Sequence, residues 1–365
     1  MLIAHLADLH LGKVQYRLRK RKLDFFNALD DAVNTILNKN VDIIVMAGDV
    51  FDSTHPDVET IITTKDILKR ANHIPKIIIP GNHDKISSLT GISPVSVLKD
   101  LKNTVIVLKS SVIEVSGKKF AAIPKQFSHK EMNAFIKKLK GSVDYLIYHG
   151  MIRDTKNEFI SRFSNPELPS IKLFKDQFDY VFLGDIHIFM HERVGKTHVV
   201  YSSSIEYNSK TEIKNGPRGF VIYDTENDSV EFIKTKTRPS YVLENPEIDA
   251  IESLEEGSVV FIEALDTEKY VNLPIRSKFL VYFIQSKFVK SDSLSEEVNV
   301  EEVDISALLR ELRFPSKLQS LVLSYLKDDR YHELTQGELL DTVEYEVIEY
   351  INNNNLSLED VVFEK

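Results

Sequence analysis

The run Ile3-Ala4-His5-Leu6-Ala7-Asp8-Leu9-His10 decides the reading of this chain, because a short apolar stretch breaks there into a polar Asp-x-His cluster. The same pattern recurs four times. Ile43 to Ala47 leads into Gly48-Asp49, Ile77 to Ile79 into Gly81-Asn82-His83-Asp84, Tyr145 to Tyr148 into His149-Gly150, and Tyr180 to Leu183 into Gly184-Asp185-Ile186-His187. A further run spans Val199 to Tyr201. Short β-branched apolar runs read as strands, and helical spacing over Leu23 to Leu37 and Ile61 to Arg70 places helices between some of them. Strands alternating with helices indicate an α/β layered domain. In such folds ligands sit beyond the carboxyl ends of the strands, so clusters far apart in sequence can converge in space.

Composition narrows the chemistry that this convergence can perform. The 365 residues include no Cys and no Trp. Thiol nucleophiles, disulfides, zinc-thiolate clusters and iron-sulfur centres are excluded, and any metal must be held by His, Asp, Glu or Asn. The length suits two or three domains. No signal peptide is apparent at the N-terminus, and apolar runs such as Phe279 to Ile284 are too short to span a bilayer, so a cytoplasmic location is expected. The net charge of −9 is unevenly spread: residues 291–365 hold 18 Asp/Glu and 6 Lys/Arg, a net of −12, leaving 37 acidic and 40 basic residues, a net of +3, in residues 1–290. A nucleic-acid-binding body with an acidic tail is therefore allowed, as is a tail that is merely solvated.

The strand-and-helix alternation of residues 1–235 gives way to a different texture. Val259 to Ala264 and Phe279 to Val289 read as strands flanking a Pro-containing loop, which predicts a small mixed domain over residues 236–313. Phe314-Pro315-Ser316 then resembles a helix start. Leu318, Leu321, Val322 and Tyr325, followed after a break by Leu340, Val343, Val347, Ile348 and Ile351, lie at helical spacing and predict two amphipathic helices in residues 314–365. From pattern alone these helices could bind a partner or pack on their own chain.

The clusters supply seven candidate ligands: Asp8, His10, Asp49, Asn82, His149, Asp185 and His187. Two divalent ions bridged by a carboxylate need about seven or eight such groups on rigid supports. Taken singly, Asp-x-His is usually a surface or capping feature and Gly-Asp a turn. All five clusters in order, each at a strand end, leave that reading little room.

In these motifs the sequence resembles the calcineurin-like metallophosphoesterase superfamily, and more closely the DNA double-strand-break repair nucleases, the family of bacterial SbcD and of the archaeal and eukaryotic meiotic-recombination nucleases. The closer likeness rests on Leu6-Ala7-Asp8-Leu9-His10-Leu11-Gly12, on Ala47-Gly48-Asp49-Val50-Phe51-Asp52, and on the small domain after the phosphoesterase core. The resemblance implies a layered α/β fold, a β-sandwich flanked by helices with a small α+β capping domain and C-terminal helices. It implies one ion held by Asp8, His10, Asp49 and His187, and a second by Asp49, Asn82, His149 and Asp185, with Asp49 as the bridge. Oxygen and imidazole donors suit two Mn²⁺ per subunit, with Mg²⁺ or Fe²⁺ as alternatives. Such ions polarise a phosphodiester oxygen and activate a water for in-line attack.

The resemblance also implies that His83 is a catalytic group rather than a ligand, one that stabilises the transition state and can protonate the leaving oxygen. Gly48-Asp49-x-x-Asp52 resembles the phosphatase motif whose second Asp pairs with that histidine, so an Asp52–His83 dyad is expected; the alternative is Asp52 as a loop-capping residue. The repair nucleases are expected to carry His at position 52, and also at 185 where this chain has Asp.

Lys13, Arg17, Arg19, Lys20, Arg21 and Lys22 form a basic segment with Tyr16 and no acid, directly after Asp8-Leu9-His10. Together with Lys85, these residues are expected to contact the phosphates of DNA, although a solvated basic helix face has the same composition. The resemblance further implies a homodimer through nuclease-domain helices and docking of the C-terminal helices on an SMC-like coiled-coil ABC ATPase. The favoured function is a Mn²⁺-dependent DNA exonuclease and endonuclease of break repair. Two alternatives are a cyclic-nucleotide phosphodiesterase or nucleotidase, and a non-catalytic DNA-end scaffold that regulates the ATPase.

Overall fold

The computed structural model describes residues 1–285 apart from 16–17, 88–89, 140, 265–267, 272, 274 and 276–277. The chain begins with β1 (Leu2–Leu6), α1 (Arg19–Asn38), β2 (Ile43–Ala47), α2 (Val58–Lys69), β3 (Lys76–Ile79) and β4 (Thr104–Ile106). It continues through β5 (Ser111–Val115), β6 (Lys118–Ile123), α3 (His129–Leu139), β7 (Tyr145–His149), α4 (Glu158–Ser161), β8 (Tyr180–Gly184), β9 (Phe189–Val194) and β10 (Thr197–Ser202). After α5 (Lys210–Ile213), β11 (Gly219–Asp224) and β12 (Ser229–Lys234) come β13 (Ser240–Glu244), α6 (Ile248–Glu252), β14 (Val259–Ala264), α7 (Glu268–Val271) and β15 (Leu280–Gln285).

Two six-stranded sheets result, in the orders β12-β11-β1-β2-β3-β4 and β5-β6-β7-β8-β10-β9. Their central strands, β1-β2-β3 in one and β6-β7-β8 in the other, run parallel. Every residue of β2, β7 and β8 is buried. Strands covered on both faces tolerate no polar alternation, which is why they read as unbroken apolar runs. Ile3, Val45 and Ile79 from the first sheet meet Phe120, Ile147 and Phe182 from the second in one apolar layer.

Helices cover the outer faces. Helix α1 presents Phe25, Ala28, Leu29, Ala32 and Ile36 at three- and four-residue spacing to β1 and β2 of the first sheet. The α2 helix starts at Asp57, whose side chain accepts the Thr60 N–H at 2.7 Å. Met132 and Ile136 of α3 pack on the second sheet. Fold and helix positions thus agree with the layered α/β expectation, the second face-to-face sheet being the arrangement that the resemblance implied.

Beyond β12, three parallel strands in the order β13-β14-β15 form a small sheet whose core includes Ile251, Val260, Ile262 and Tyr270. Arg238, just before β13, donates to both oxygens of Asp24 in α1, at 2.7 and 2.6 Å. The end of the expected 236–313 domain and the whole of 314–365, with Leu318, Leu321, Val322, Tyr325, Leu340, Val343, Val347, Ile348 and Ile351, lie outside the described residues. Among the described residues no helix is long and apolar enough to cross a membrane.

Candidate metal centre

All five clusters leave the carboxyl ends of their strands at one edge of the sandwich. The main chain ties them together: Asp8 N–H donates to Gly48 O at 3.1 Å, His10 N–H to Asp49 O at 3.0 Å, and Gly150 N–H to Gly184 O at 3.2 Å. The sharp exits are visible in the backbone. Asp8, His10, Asp49 and Asp185 have φ of 54°, 44°, 51° and 98°. Side-chain-bearing residues seldom occupy this region unless surrounding structure enforces it, and such strain gathers at functional sites. Gly184 has no such φ, but a Cβ there would run into Ala47 O and His149 Nδ1, so only glycine lets the two sheets close at this point.

Three groups of ligand atoms lie within 4.8 Å of one another: Asp8 with His10 and His187, His10 with Asp49 and His83, and Asp8 with Asp49 and His149. Asp185 joins them, its N–H donating to Asp8 Oδ1 at 3.0 Å and its Oδ1 accepting from Asn82 Nδ2 at 2.8 Å. The His83 N–H donates to Asp49 Oδ1 at 2.8 Å. All seven expected ligands and His83 are therefore gathered in one place.

The four histidines share one orientation. His10 Nδ1 donates to Asp52 Oδ1 at 3.0 Å, His83 Nδ1 to Asp52 O at 3.1 Å, His149 Nδ1 to Ala47 O at 2.9 Å and His187 Nδ1 to Glu212 Oε1 at 2.7 Å. Each acceptor is a carbonyl or carboxylate oxygen, so each Nδ1 carries the proton and Nε2 is the lone-pair nitrogen of the neutral ring. His10 Nε2 and His187 Nε2 face each other at 3.2 Å. Two lone pairs at that distance need a cation or a proton between them. His149 Nε2 is buried without a hydrogen-bond partner, 3.5 Å from Asp49 Oδ2 and 3.7 Å from Asp185 Oδ1. A buried orphan nitrogen beside two carboxylates is what a divalent-ion ligand needs, and the donor set fits the ions that the resemblance implies.

The electrostatics of the site reflect carboxylates and four imidazoles at close quarters. Burial pushes the Asp8 carboxyl up to about 7 and also raises Asp185. For Asp49 burial acts in the same sense, but His149, His10 and His83 outweigh it and hold this carboxyl below the usual range. Burial lowers His10 to about 4. Burial disfavours the charged His187 too, but Glu212 overcomes it and raises the imidazole to about 9. For His149 the nearby carboxylates, Asp49 foremost, likewise overcome burial and raise it.

Several expectations change in detail. The Asp52 carboxylate does not pair with His83. It accepts from His10 Nδ1 and from Lys13 Nζ, each at 3.0 Å, because His83 Nδ1 is already satisfied by the main-chain oxygen of the same residue. Two members of the basic segment are turned inward. Arg21 is buried and bonded to Gln15 Oε1, Asp24 Oδ2, Glu206 Oε1 and Tyr207 O, while the Lys22 ammonium is held at 2.7 Å by both Asp57 and Glu59. Neither is available to a phosphate. Arg19, Lys20 and Lys85 are exposed, and Arg17 lies outside the described residues.

Three residues to which the sequence assigned no role complete the surroundings. Glu212 orients His187, and Arg218 lies behind it with Nη1 3.6 Å from Glu212 Oε2. Asp84, quoted in the Gly-Asn-His-Asp cluster without a role, is buried and accepts the N–H groups of Gly81, Val50 and Phe51 at 2.5, 2.7 and 3.2 Å, stapling two ligand loops together. Only burial marks Glu212 and Arg218, and burial is not visible in a short polar stretch.

A family model described as calcineurin-like phosphoesterase matches residues 1–189. The chain is similar to the DNA double-strand break repair protein Mre11 of Methanocaldococcus jannaschii, with 24% identity over 339 residues, covering 85% of this chain and 89% of that protein. Similarity to the protein of the same name from Archaeoglobus fulgidus is 24% over 404 aligned positions, covering 99% of this chain and 87% of that one. For Methanosarcina mazei it is 28% over 244 residues, covering 65% of this chain but only 38% of the longer relative. Distant homology to archaeal repair proteins thus extends over most of the chain.

Proposed function

Given that the chain belongs to the calcineurin-like phosphoesterase family, we propose that it is a divalent-metal-dependent DNA exonuclease and endonuclease of double-strand-break repair. The observation that carries this reading is the buried, unpartnered Nε2 of His149 between the carboxylates of Asp49 and Asp185. Asp8, His10, Asp49 and His187 would hold one ion, and Asp49, Asn82, His149 and Asp185 the other. When bound, such a pair supplies Lewis-acid polarisation of a phosphate oxygen and a water activated near neutral pH. Mn²⁺ suits the donors, as do Mg²⁺ and Fe²⁺.

The remaining work falls to the protein. His83 has its Nδ1–H fixed on Asp52 O, which leaves Nε2 as the nitrogen from which a protonated ring can give a proton to the leaving oxygen. Asp52 and Glu212 fix two ligand imidazoles, a task that in metal sites sets affinity as much as the ligands do. Arg19 and Lys20, exposed at the start of α1, and Lys13 beside Asp52 supply positive charge that positions backbone phosphates without reading sequence. Exposed Leu23 on α1 and Val58 and Ile62 on α2 support the reading that these helices make a homodimer contact. We further infer that residues 314–365 dock on an SMC-like ABC ATPase and that residues 236–313 help to hold DNA.

The test uses full-length protein on linear, circular and hairpin DNA with Mn²⁺, Mg²⁺ or Fe²⁺ and with a chelator. Cleavage that requires Mn²⁺ and stops with the chelator is expected. Hydrolysis of small nucleotides without DNA would replace this reading with a nucleotide phosphodiesterase, and metal uptake without any hydrolysis would replace it with a scaffold.

A further inference from the structure

The segment joining β10 to β11 carries no expected ligand, yet it is held from two directions. On one side Glu212 accepts from His187 Nδ1 at 2.7 Å and, through Oε2, from Asn208 N–H at 2.8 Å. Arg218 secures the same strut, reaching His187 O as well as Asn215 O and Gly216 O at 3.1 Å. On the other side Lys210, two residues before Glu212 in the single turn of α5, is ion-paired with Glu263 on β14 of the small sheet. The small sheet is anchored again where the chain enters it, by Arg238 on Asp24 of α1, and Arg238 N–H also donates to Glu206 Oε2 at 3.2 Å. Two ion pairs, Glu263–Lys210 and Glu212–His187, are thus joined through the single turn of α5.

We propose that Glu212 is a positioning residue for His187 and that the Lys210–Glu263 pair makes the placement of that imidazole depend on how the β13-β14-β15 sheet is seated. The physical reason is stiffness. Lys210 and Glu212 share one helical turn, so a displacement of β14 that pulls on Lys210 moves the carboxylate that fixes His187. A partner or substrate that reseats the small sheet thereby changes the affinity of the ion beside His187 more than that of the other, held around His149. This inference rests on the reading of His187 as a metal ligand.

The test is calorimetric titration of full-length protein with Mn²⁺, together with ¹⁵N NMR of the histidine ring nitrogens in chelator-treated protein. Glu212→Ala is expected to weaken one Mn²⁺ site 10- to 100-fold, with partial rescue in Glu212→Gln, which keeps an acceptor oxygen. Lys210→Met and Glu263→Gln, which touch no ligand, are expected to weaken the same site several-fold and to add nothing further in the Glu212→Ala background. Unchanged Mn²⁺ affinity in Glu212→Ala, or equal weakening of both sites in Glu263→Gln, overturns the proposal. If the unmodified protein takes up no Mn²⁺, the metal reading fails. The His187 Nδ1 resonance then decides the positioning role alone: a shift in Glu212→Gln and in Glu263→Gln sustains it, and no shift in either refutes it.

Discussion

Asp52 serves two imidazoles through different atoms, its carboxylate Oδ1 lying 3.0 Å from His10 Nδ1 and its main-chain oxygen 3.1 Å from His83 Nδ1. A substitution can remove the first contact and leave the second, so the two histidines can be perturbed separately.

Asp52→Ala should accordingly weaken Mn²⁺ binding 10- to 100-fold while leaving the His83 tautomer intact. Saturating Mn²⁺ should restore most of the cleavage rate. A rate that stays low at saturating metal would show that the carboxylate acts on His83 after all.

Asp49 and His83 should fail differently. Asp49→Ala removes the carboxylate common to both ion sets and is expected to lose metal along with activity. His83→Ala should keep both ions and bind DNA, with cleavage slower by about 10² to 10⁴. Metal analysis of the purified variants separates the two, and loss of metal from His83→Ala would mean that this residue is a ligand.

Asp185 should set metal preference. It brings a third carboxylate to the pair of ions, which strengthens hard-ion binding and makes the activated water less acidic. Asp185→His is expected to stay folded, favour softer ions and move the acidic limb of the pH–rate profile to lower pH. Asp185→Ala should deplete the second ion and abolish most cleavage; full metal content and activity in that variant would make Asp185 a bystander.

The basic segment should divide in two. Replacing both Arg19 and Lys20 with Gln is expected to weaken DNA binding uniformly across sequences and reduce the salt dependence of log K by about 1 to 2, with stability unchanged. Arg21→Ala instead leaves the buried Glu206 without its guanidinium partner, Asp24 keeping Arg238, and should destabilise the fold by roughly 3 kcal/mol. Binding isotherms at several salt concentrations and thermal melts distinguish them; an unchanged slope in the double variant removes these residues from the DNA surface.

Chelated protein should lose stability as pH rises. The folded His187 titrates at about 9 against an ordinary imidazole near 6.5, so the folded state binds more protons between those values. Its contribution is full below pH 6.5 and disappears as pH passes 9. Asp8 and Asp84, both raised to about 7 by burial first of all, act with the same sign between pH 4 and 7. Calorimetry in a chelator should show the melting temperature falling from pH 6.5 to 9.5, by roughly 1–3 kcal/mol in free energy. Glu212→Gln should flatten that limb; a slope unchanged in this variant assigns it to another group.

The site was legible in the sequence where chemistry and strand endings coincide. Asp8, His10, Asp49, Asn82, His149, Asp185 and His187 announce themselves because each ends or follows a buried apolar strand. Partners that arrive from elsewhere do not. Glu212 sits in a four-residue helix with no periodicity to read, and the loss of Arg21 and Lys22 to ion pairs depends on Glu206, Asp57 and Glu59, far off in sequence. Strands such as β5 and β9, half-exposed at sheet edges, alternate weakly with polar residues and gave no comparable apolar run. The Asp52–His83 expectation failed for a subtler reason: spacing brings residues together but cannot say whether the main chain or the side chain makes the bond.

His149 belongs to β7 in one sheet, and its Nδ1 proton rests on Ala47 O, the last residue of β2 in the other. The chain also passes between the sheets twice, leaving the first after β4 and returning to it at β11. The protein therefore cannot be bisected into a working half. A fragment ending near residue 110 would own Asp8, Asp49 and Asn82 but lack the strands that seal β1, and the remainder would own His149 and His187 with nothing opposite them. Brought together, the two pieces would have to interleave before any ion could be held, so that uptake of metal becomes the signature of reunion.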